Sequence, residues 1–290
     1  MSELTSELNA YAQSIRCDLL GVAPIERFDD VQPEHHPASI FPETRSVIVI
    51  GKRIPRGALR GVEEGTQFHT YNVYGQSWLQ DRILALTTQH LCEFIEDRGW
   101  ESVPLLNLPP EMGPMGCPVR EGRPAPNVLL DFDDAAVRAG LGEIGYLQTF
   151  LTPDYGTRQR FYIILTDAEL EPTPLRSPEI CPRKAEFARF CPLDAIDPEN
   201  EQTLEICGQS MTVAGVDFDK CAECQNGARP NSRHPMGKPD RLGAVCMRSY
   251  YDYLERSGRL SCDYKNPFRK RPAWVLKDGQ SRIEANYEIE

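Results

Sequence analysis

The sequence predicts a mixed α/β (α+β) fold over residues 1–175, followed over residues 176–290 by a loop-rich part that depends on cysteine ligation. Three observations carry this. Arg45–Gly51 (RSVIVIG) and Gln159–Thr166 (QRFYIILT) are β-branched apolar runs with the length of buried strands. Leu79, Ile83, Leu86, Leu91, Phe94 and Ile95 keep a helical period through Gln76–Asp97, and Gly99 ends it. Of ten cysteines, Cys17, Cys92 and Cys117 precede residue 181 and the other seven fall between Cys181 and Cys262.

The remaining elements follow in chain order. Leu4, Leu8, Tyr11, Ala12 and Ile15 share one helical face, so the chain opens on a helix. Ser102–Leu106 is a short strand. Asn107–Asn127 holds six prolines and three glycines, which excludes regular structure and makes it a long loop. Asp133–Ala139 is a short helix. From Cys181 onward one further helix is expected, around Leu242–Arg256.

The formal net charge of -11 repels phosphate backbones, so nucleic acid is disfavoured as a partner. The basic group Lys265, Arg269, Lys270 and Arg271 reads as a solvated face. The first residues carry Glu3 and Glu7 and lack an apolar signal core, and no stretch approaches the ~18 apolar residues of a membrane span. A cytoplasmic protein is expected. In a reducing compartment the cysteines then point to metal ligation or catalysis rather than disulfides.

Cys181–Pro192 keeps the two ends of a ferredoxin run, C-x2-C-x2-C-x3-C-P, but its middle ligand positions are Lys184 and Phe187. A second, truncated run begins at Cys221-Ala-Glu-Cys224, and Ala228 stands where its last cysteine would fall. Paired ferredoxin runs exchange their last cysteines, so Cys191 joins Cys221 and Cys224. Cys207 completes four, with Cys246 or Cys262 as substitutes. One [4Fe–4S] cluster is the favoured reading, and a four-thiolate zinc site would use the same ligands. The opposite cluster keeps only Cys181.

The stretch from Ala136 to Gly145 (AVRAGLGEIG) places Gly140, Gly142 and Gly145 where backbone can approach something closely. Such a cluster serves either a ligand or a tight helix-to-loop packing turn. Together with LTPDYGTR, ILTDAELEPTP and the cysteines that follow, it resembles epoxyqueuosine reductases and their relatives, the corrinoid-dependent reductive dehalogenases. The resemblance is strong over about residues 135–225 and looser over Val47–Gly99. It implies a nitroreductase-like cobalamin-binding core followed by a ferredoxin-like iron–sulfur region. It also implies a cobalamin site lined by Gly140, Leu141, Gly142, Ile144, Gly145, Tyr146, Thr149, Pro153, Tyr155 and Gly156. The ligands of the family's retained cluster match Cys191, Cys207, Cys221 and Cys224. The acidic proton donor of epoxyqueuosine reductases falls near Pro126 and Asn127 and is missing.

The expected function is a corrinoid-dependent reductase of a small organic molecule. One cluster relays electrons from a donor such as ferredoxin or flavodoxin. Tyr74, then Tyr71, then Glu143 are the candidate proton donors. A cobalamin-handling protein without turnover and a zinc-stabilised binding module are the alternatives. Cys117, the His35–His36 pair and His234 read first as loop residues.

Overall fold

The computed structural model describes residues 2–67, 69–105, 116–125, 128–231, 237–268, 273–277 and 280–284. In chain order its first part contains α1 (Glu3–Ser14), β1 (Leu19–Pro24), β2 (Ser46–Arg53), α2 (Arg60–Glu64), α3 (His69–Tyr71), α4 (Ala85–Glu96), β3 (Ser102–Pro104), α5 (Phe132–Arg138), β4 (Glu143–Ile144), β5 (Phe150–Leu151) and β6 (Gln159–Thr166). There follow β7 (Ile196–Ile206), β8 (Gln209–Val216), α6 (Phe218–Ala222), α7 (Arg248–Arg256), β9 (Ala273–Lys277) and β10 (Gln280–Glu284).

The apolar runs pair as expected. A four-stranded antiparallel sheet has the order β1-β2-β6-β3, with Ile48 opposite Ile164 and Val49 opposite Ile163. Val47–Ile50 and Ile163–Leu165 are buried, because helices cover the sheet. Ser2 caps α1 by accepting from Thr5 N–H, and Tyr11 of α1 stacks on Phe94 of α4 at 4.7 Å. Asp131 caps α5 by accepting from the N–H groups of Asp133 and Asp134.

The expected Gln76–Asp97 helix departs from α geometry in its first half. Asn72–Ser77 and Leu79–Leu84 are π-helical and lead into α4. The wider turn shifts the side-chain period, so Ile83 and Leu86, expected on the buried face, are exposed.

A second hydrophobic cluster joins Ile54–Leu79 and Tyr146–Leu151 to the chain from Ile180 to Phe268. The region beyond Cys181 is less loop-rich than expected. β7 and β8 form an antiparallel hairpin with Ile206 opposite Gln209, interrupted by a register shift between Asp197 and Gln202. Asp217 caps α6, and α7 begins six residues later than the helix expected from Leu242. Among the described residues no helix is long and apolar enough to cross a membrane.

Candidate functional site

Three chain segments bring four cysteines together. Cys191 ends a 3-10 turn (Ala185–Phe190), and its sulfur accepts from Ala195 N–H at 3.3 Å. Cys221 lies in α6, and Cys224 follows it within one turn, its sulfur accepting from Asn226 N–H at 3.3 Å. Cys246 sits in the 3-10 turn Val245–Met247 ahead of α7. Two backbone hydrogen bonds lace these segments: Asp217 N–H donates to Ala195 O (2.8 Å), and Val245 N–H donates to Asn226 O (2.9 Å).

The four thiols act on one another electrostatically. Burial pushes Cys221 up to about 11, opposed by the Arg241 guanidinium and reinforced by Cys191 and Cys224. Burial raises Cys246 further, with Cys191, Cys221 and Cys224 adding to it and Arg241 opposing. Cys221 and Cys246 therefore keep their protons at neutral pH. Among the described residues no three His, Cys, Asp or Glu side chains are set to hold a single metal ion.

Cys207, the expected fourth ligand, is not in this set. Cys207 and Gly208 are the two central residues of the β7–β8 turn, with φ of 49° and 74°. A two-residue hairpin turn with both φ positive matches the twist of its strands, and it holds Cys207 at the hairpin tip against the first core. There its sulfur lies 3.8 Å from Arg138 Nη1 and 3.5 Å from Arg27 O. Cys246, a substitute the sequence also offered, is the cysteine that lies near Cys191, Cys221 and Cys224. Cys262 is half-buried beside Tyr264.

Cys181 is separate again. Its sulfur accepts from the N–H groups of Tyr146 (3.0 Å) and Arg183 (3.4 Å) and lies 3.1 Å from the Tyr250 hydroxyl. Phe187, fully buried, packs edge-on against Tyr250 (4.9 Å) and Tyr253 (5.6 Å). Aromatic packing occupies the space beside Cys181.

The glycine segment is consumed by the chain's own packing. A Cβ on Gly142 would lie 1.9 Å from Leu151 O, one on Gly145 2.5 Å from Tyr250 Oη, and one on Gly140 2.3 Å from Pro174 O. Leu141, Ile144 and Tyr146 are buried, and the Tyr146 hydroxyl donates to Glu201 at 2.6 Å. The buried Glu143 carboxylate accepts from Ile180 N–H (2.8 Å), Cys181 N–H (2.9 Å) and Arg183 (3.2 Å). It clamps a loop and faces no open space. Pro153 and Tyr155 are half-buried, Tyr155 with the Arg53 guanidinium over its ring, and Gly156 packs near Leu260.

A cleft between the two cores is lined by Gln80, Thr149, Arg160, Lys238, Asp240 and Arg241 among others, and larger cavities of about 640 Å³ and 260 Å³ open beside the β7–β8 hairpin and beside Arg138. Thr149 is the one expected cofactor residue that reaches the cleft. Gln80 Oε1, Thr149 Oγ1 and Arg241 Nη1 are buried with no hydrogen-bond partner among the described residues. Thr157 Oγ1, also of the lining, makes four, and buried polar atoms left unpaired are unfavourable until water or a polar ligand pairs them.

Behind the cleft, the Tyr71 hydroxyl donates to the Asp240 carboxylate (2.8 and 2.9 Å to its oxygens), and Arg160 contacts both groups, 2.6 Å from Asp240. Tyr71 is 1% exposed, and burial raises its pKa well above the ordinary phenol value, against the pull of Arg160. Tyr74 is 51% exposed, in edge contact with Trp78, and is not part of this group. Sequence reasoning missed Arg160, Asp240 and Arg241. The signal available was an Asp-Arg pair directly preceding the apolar Leu242–Val245.

Cys117 is exposed. His35 bonds Leu129 O, and His36 caps a turn. His234, Pro126, Asn127 and Arg269–Arg271 lie outside the described residues, as does most of the Asn107–Asn127 loop.

No protein-family model matches the chain, and no curated protein does. Solved structures do. The catabolic reductive dehalogenase NpRdhA aligns at 14% identity over 95% of this chain and 39% of its own, with a TM-score of 0.51. Its complex with 3-bromo-4-hydroxybenzoic acid aligns at 13% identity over 98% and 40%, also at 0.51. Epoxyqueuosine reductase from Streptococcus thermophilus aligns at 17% identity over 67% and 54%, at 0.49. The chain thus spans about two fifths of the length of the dehalogenase and about half that of the epoxyqueuosine reductase. At these identities the likeness is one of fold: the chain shares the fold of the reductive dehalogenase.

Proposed function

We propose that this chain is an oxidoreductase with one iron–sulfur centre, held by Cys191, Cys221, Cys224 and Cys246, that serves reduction of a small polar molecule in the adjoining cleft. The observation that carries this reading is that three laced segments bring together the buried Cys191, Cys221 and Cys246 and the half-buried Cys224 beside the cleft. The spacing of Cys191, Cys221 and Cys224 along the chain, which matches paired ferredoxin runs, is what favours a cluster over zinc. When bound, such a cluster supplies one-electron transfer, reloaded by a donor of ferredoxin or flavodoxin type.

The residues do not fit a corrinoid. The glycines expected to face a macrocycle face Leu151, Pro174 and Tyr250 instead. The proposal therefore contains no corrinoid step. Tyr71, kept protonated by burial, and Arg160 hold the Asp240 carboxylate that lines the cleft, so this group's part is to orient Asp240 there.

Anaerobic purification with iron, sulfide, zinc and corrinoid analysis tests the reading. About four irons and four sulfides per chain are expected. Twice that content would mean a second cluster, stoichiometric zinc would replace the iron–sulfur reading, and stoichiometric corrinoid would overturn the packing argument. A tRNA stem loop, the ligand in one epoxyqueuosine reductase structure, is expected not to bind a chain of net charge -11.

A further inference from the structure

Three side chains reach the cleft from separate parts of the chain. Gln80 comes from the π-helical stretch Leu79–Leu84, Thr149 from the connection between β4 and β5, and Arg241 from the segment ahead of Leu242. Each is at most 8% exposed, and each keeps one polar atom (Oε1, Oγ1 and Nη1) without a hydrogen-bond partner among the described residues. Arg241 Nη2 donates to Leu147 O and to Gln148 O, the latter at 3.0 Å. Gln148 O belongs to the peptide group that leads into Thr149, so the guanidinium is fixed beside that residue with Nη1 left over. An anionic oxygen answers a guanidinium N–H better than water does, because it brings charge as well as a lone pair.

The charges of the lining are three cations, Arg160, Lys238 and Arg241, and two carboxylates, Asp133 and Asp240. Asp240 is committed to Arg160 at 2.6 Å, to the Tyr71 hydroxyl and to Leu242 N–H at 3.1 Å. Lys238 is held at 2.8 Å by Asp131, which lies outside the lining, and Asp133 acts on it too. Among the described residues no carboxylate pairs with Arg241. Phe150, Phe161 and Phe218 line the same cleft, the Phe218 ring 5.5 Å from the Arg241 guanidinium. One carboxylate on a short carbon body matches this lining, whereas a second would be repelled by Asp133 and Asp240.

We propose that the cleft is a binding site for a small organic monocarboxylate, which accepts from Arg241 Nη1 and the Thr149 hydroxyl and lays its carbon chain along the phenylalanines. The Gln80 amide, turned by half a rotation, offers a third donor. This rests on the reading of the cleft as the place of a small polar molecule, and it is independent of which metal the cysteines hold.

The test is isothermal titration calorimetry on the full chain at fixed ionic strength, with four probes: butyrate, its neutral isostere butyramide, succinate and inorganic phosphate. Butyrate is expected to bind at least tenfold more tightly than each of the others. Thr149→Val keeps the shape and removes the hydroxyl, and is expected to weaken butyrate about fivefold or more at an unchanged thermal midpoint. Butyramide binding as well as butyrate overturns the proposal, since charge would then play no part. Phosphate binding more tightly than butyrate overturns it in favour of an inorganic anion, and no binding of any probe leaves the cleft to water. Undiminished butyrate binding in a normally folded Thr149→Val protein moves the site elsewhere and overturns it as well. Arg241→Gln is expected to abolish the preference for butyrate over butyramide, and a preference kept by that variant counts against the proposal. If losing the clamp on Leu147 and Gln148 unfolds that variant, Thr149→Val and the butyramide comparison decide. A chain that carries zinc yet prefers butyrate sinks the oxidoreductase reading and upholds this one.

Discussion

The sulfur of Cys181 lies 3.1 Å from the hydroxyl of Tyr250, and the Phe187 ring stands 4.9 Å from that tyrosine. Phe187 stands where a ferredoxin run would place a ligand, and here its ring is core packing. Phe187→Ala is expected to destabilise the chain by about 3–5 kcal/mol, the range for truncating a buried phenylalanine. Urea unfolding measures it, and a change below 1 kcal/mol would mean the ring is not a core element.

Gly142 has no room for a side chain, since its Cβ would lie 1.9 Å from Leu151 O. Gly142→Val should cost about 3 kcal/mol or more through backbone displacement. It should lower the thermal midpoint whether or not corrinoid is supplied. A Gly142→Val protein of normal stability would contradict the packing role.

That segment shows how far the sequence could be read. The glycine spacing correctly signalled close approach, but the approaching group is the chain's own backbone, which no local pattern identifies. Arg45–Gly51 and Gln159–Thr166 were legible because continuous β-branched runs declare a strand buried on both faces. The β7–β8 hairpin was not, because Pro198 and a run of exposed polar residues dilute its alternation and its pairing is interrupted by a register shift. Missing the hairpin also misplaced Cys207. Its position between two motifs suggested a ligand, whereas Cys207-Gly208 was the turn. The Tyr71–Asp240–Arg160 group joins residues up to 169 positions apart and leaves no local trace.

Asp240 pairs with Arg160 with its side chain fully buried. Asp240→Asn strands that arginine and should cost about 3–5 kcal/mol. Tyr71→Phe removes the hydrogen bond that holds Asp240, expected to cost ~1–3 kcal/mol of stability and to lower turnover on an accepted substrate. Tyr74→Phe should leave turnover unchanged. Equal rates for wild type and Tyr71→Phe would remove Tyr71 from that positioning role.

His36 Nδ1 accepts from Ala38 N–H at 3.0 Å, which requires the neutral ring. Burial, then the Arg123 charge, lowers its pKa below the ordinary 6.5. A base depressed on folding contributes stability that is complete above pH 6.5 and is lost as pH falls through the lower folded value. His36→Asn keeps an acceptor that does not titrate. Wild type should therefore lose stability relative to this variant as pH drops from ~6.5 to ~5, by at most about 1.4 kcal/mol per unit. Parallel pH curves would contradict a neutral cap.

The central claim is that Cys246, and not Cys207, completes the four-thiolate centre. Iron and sulfide content of anaerobically purified Cys246→Ser and Cys207→Ser, set beside wild type, tests it most directly. Cys207→Ser should match wild type, because its sulfur sits at the hairpin tip against Arg138. Cys246→Ser should lose most of its iron while Cys207→Ser keeps its full complement. Full iron in Cys246→Ser with loss in Cys207→Ser would contradict the account.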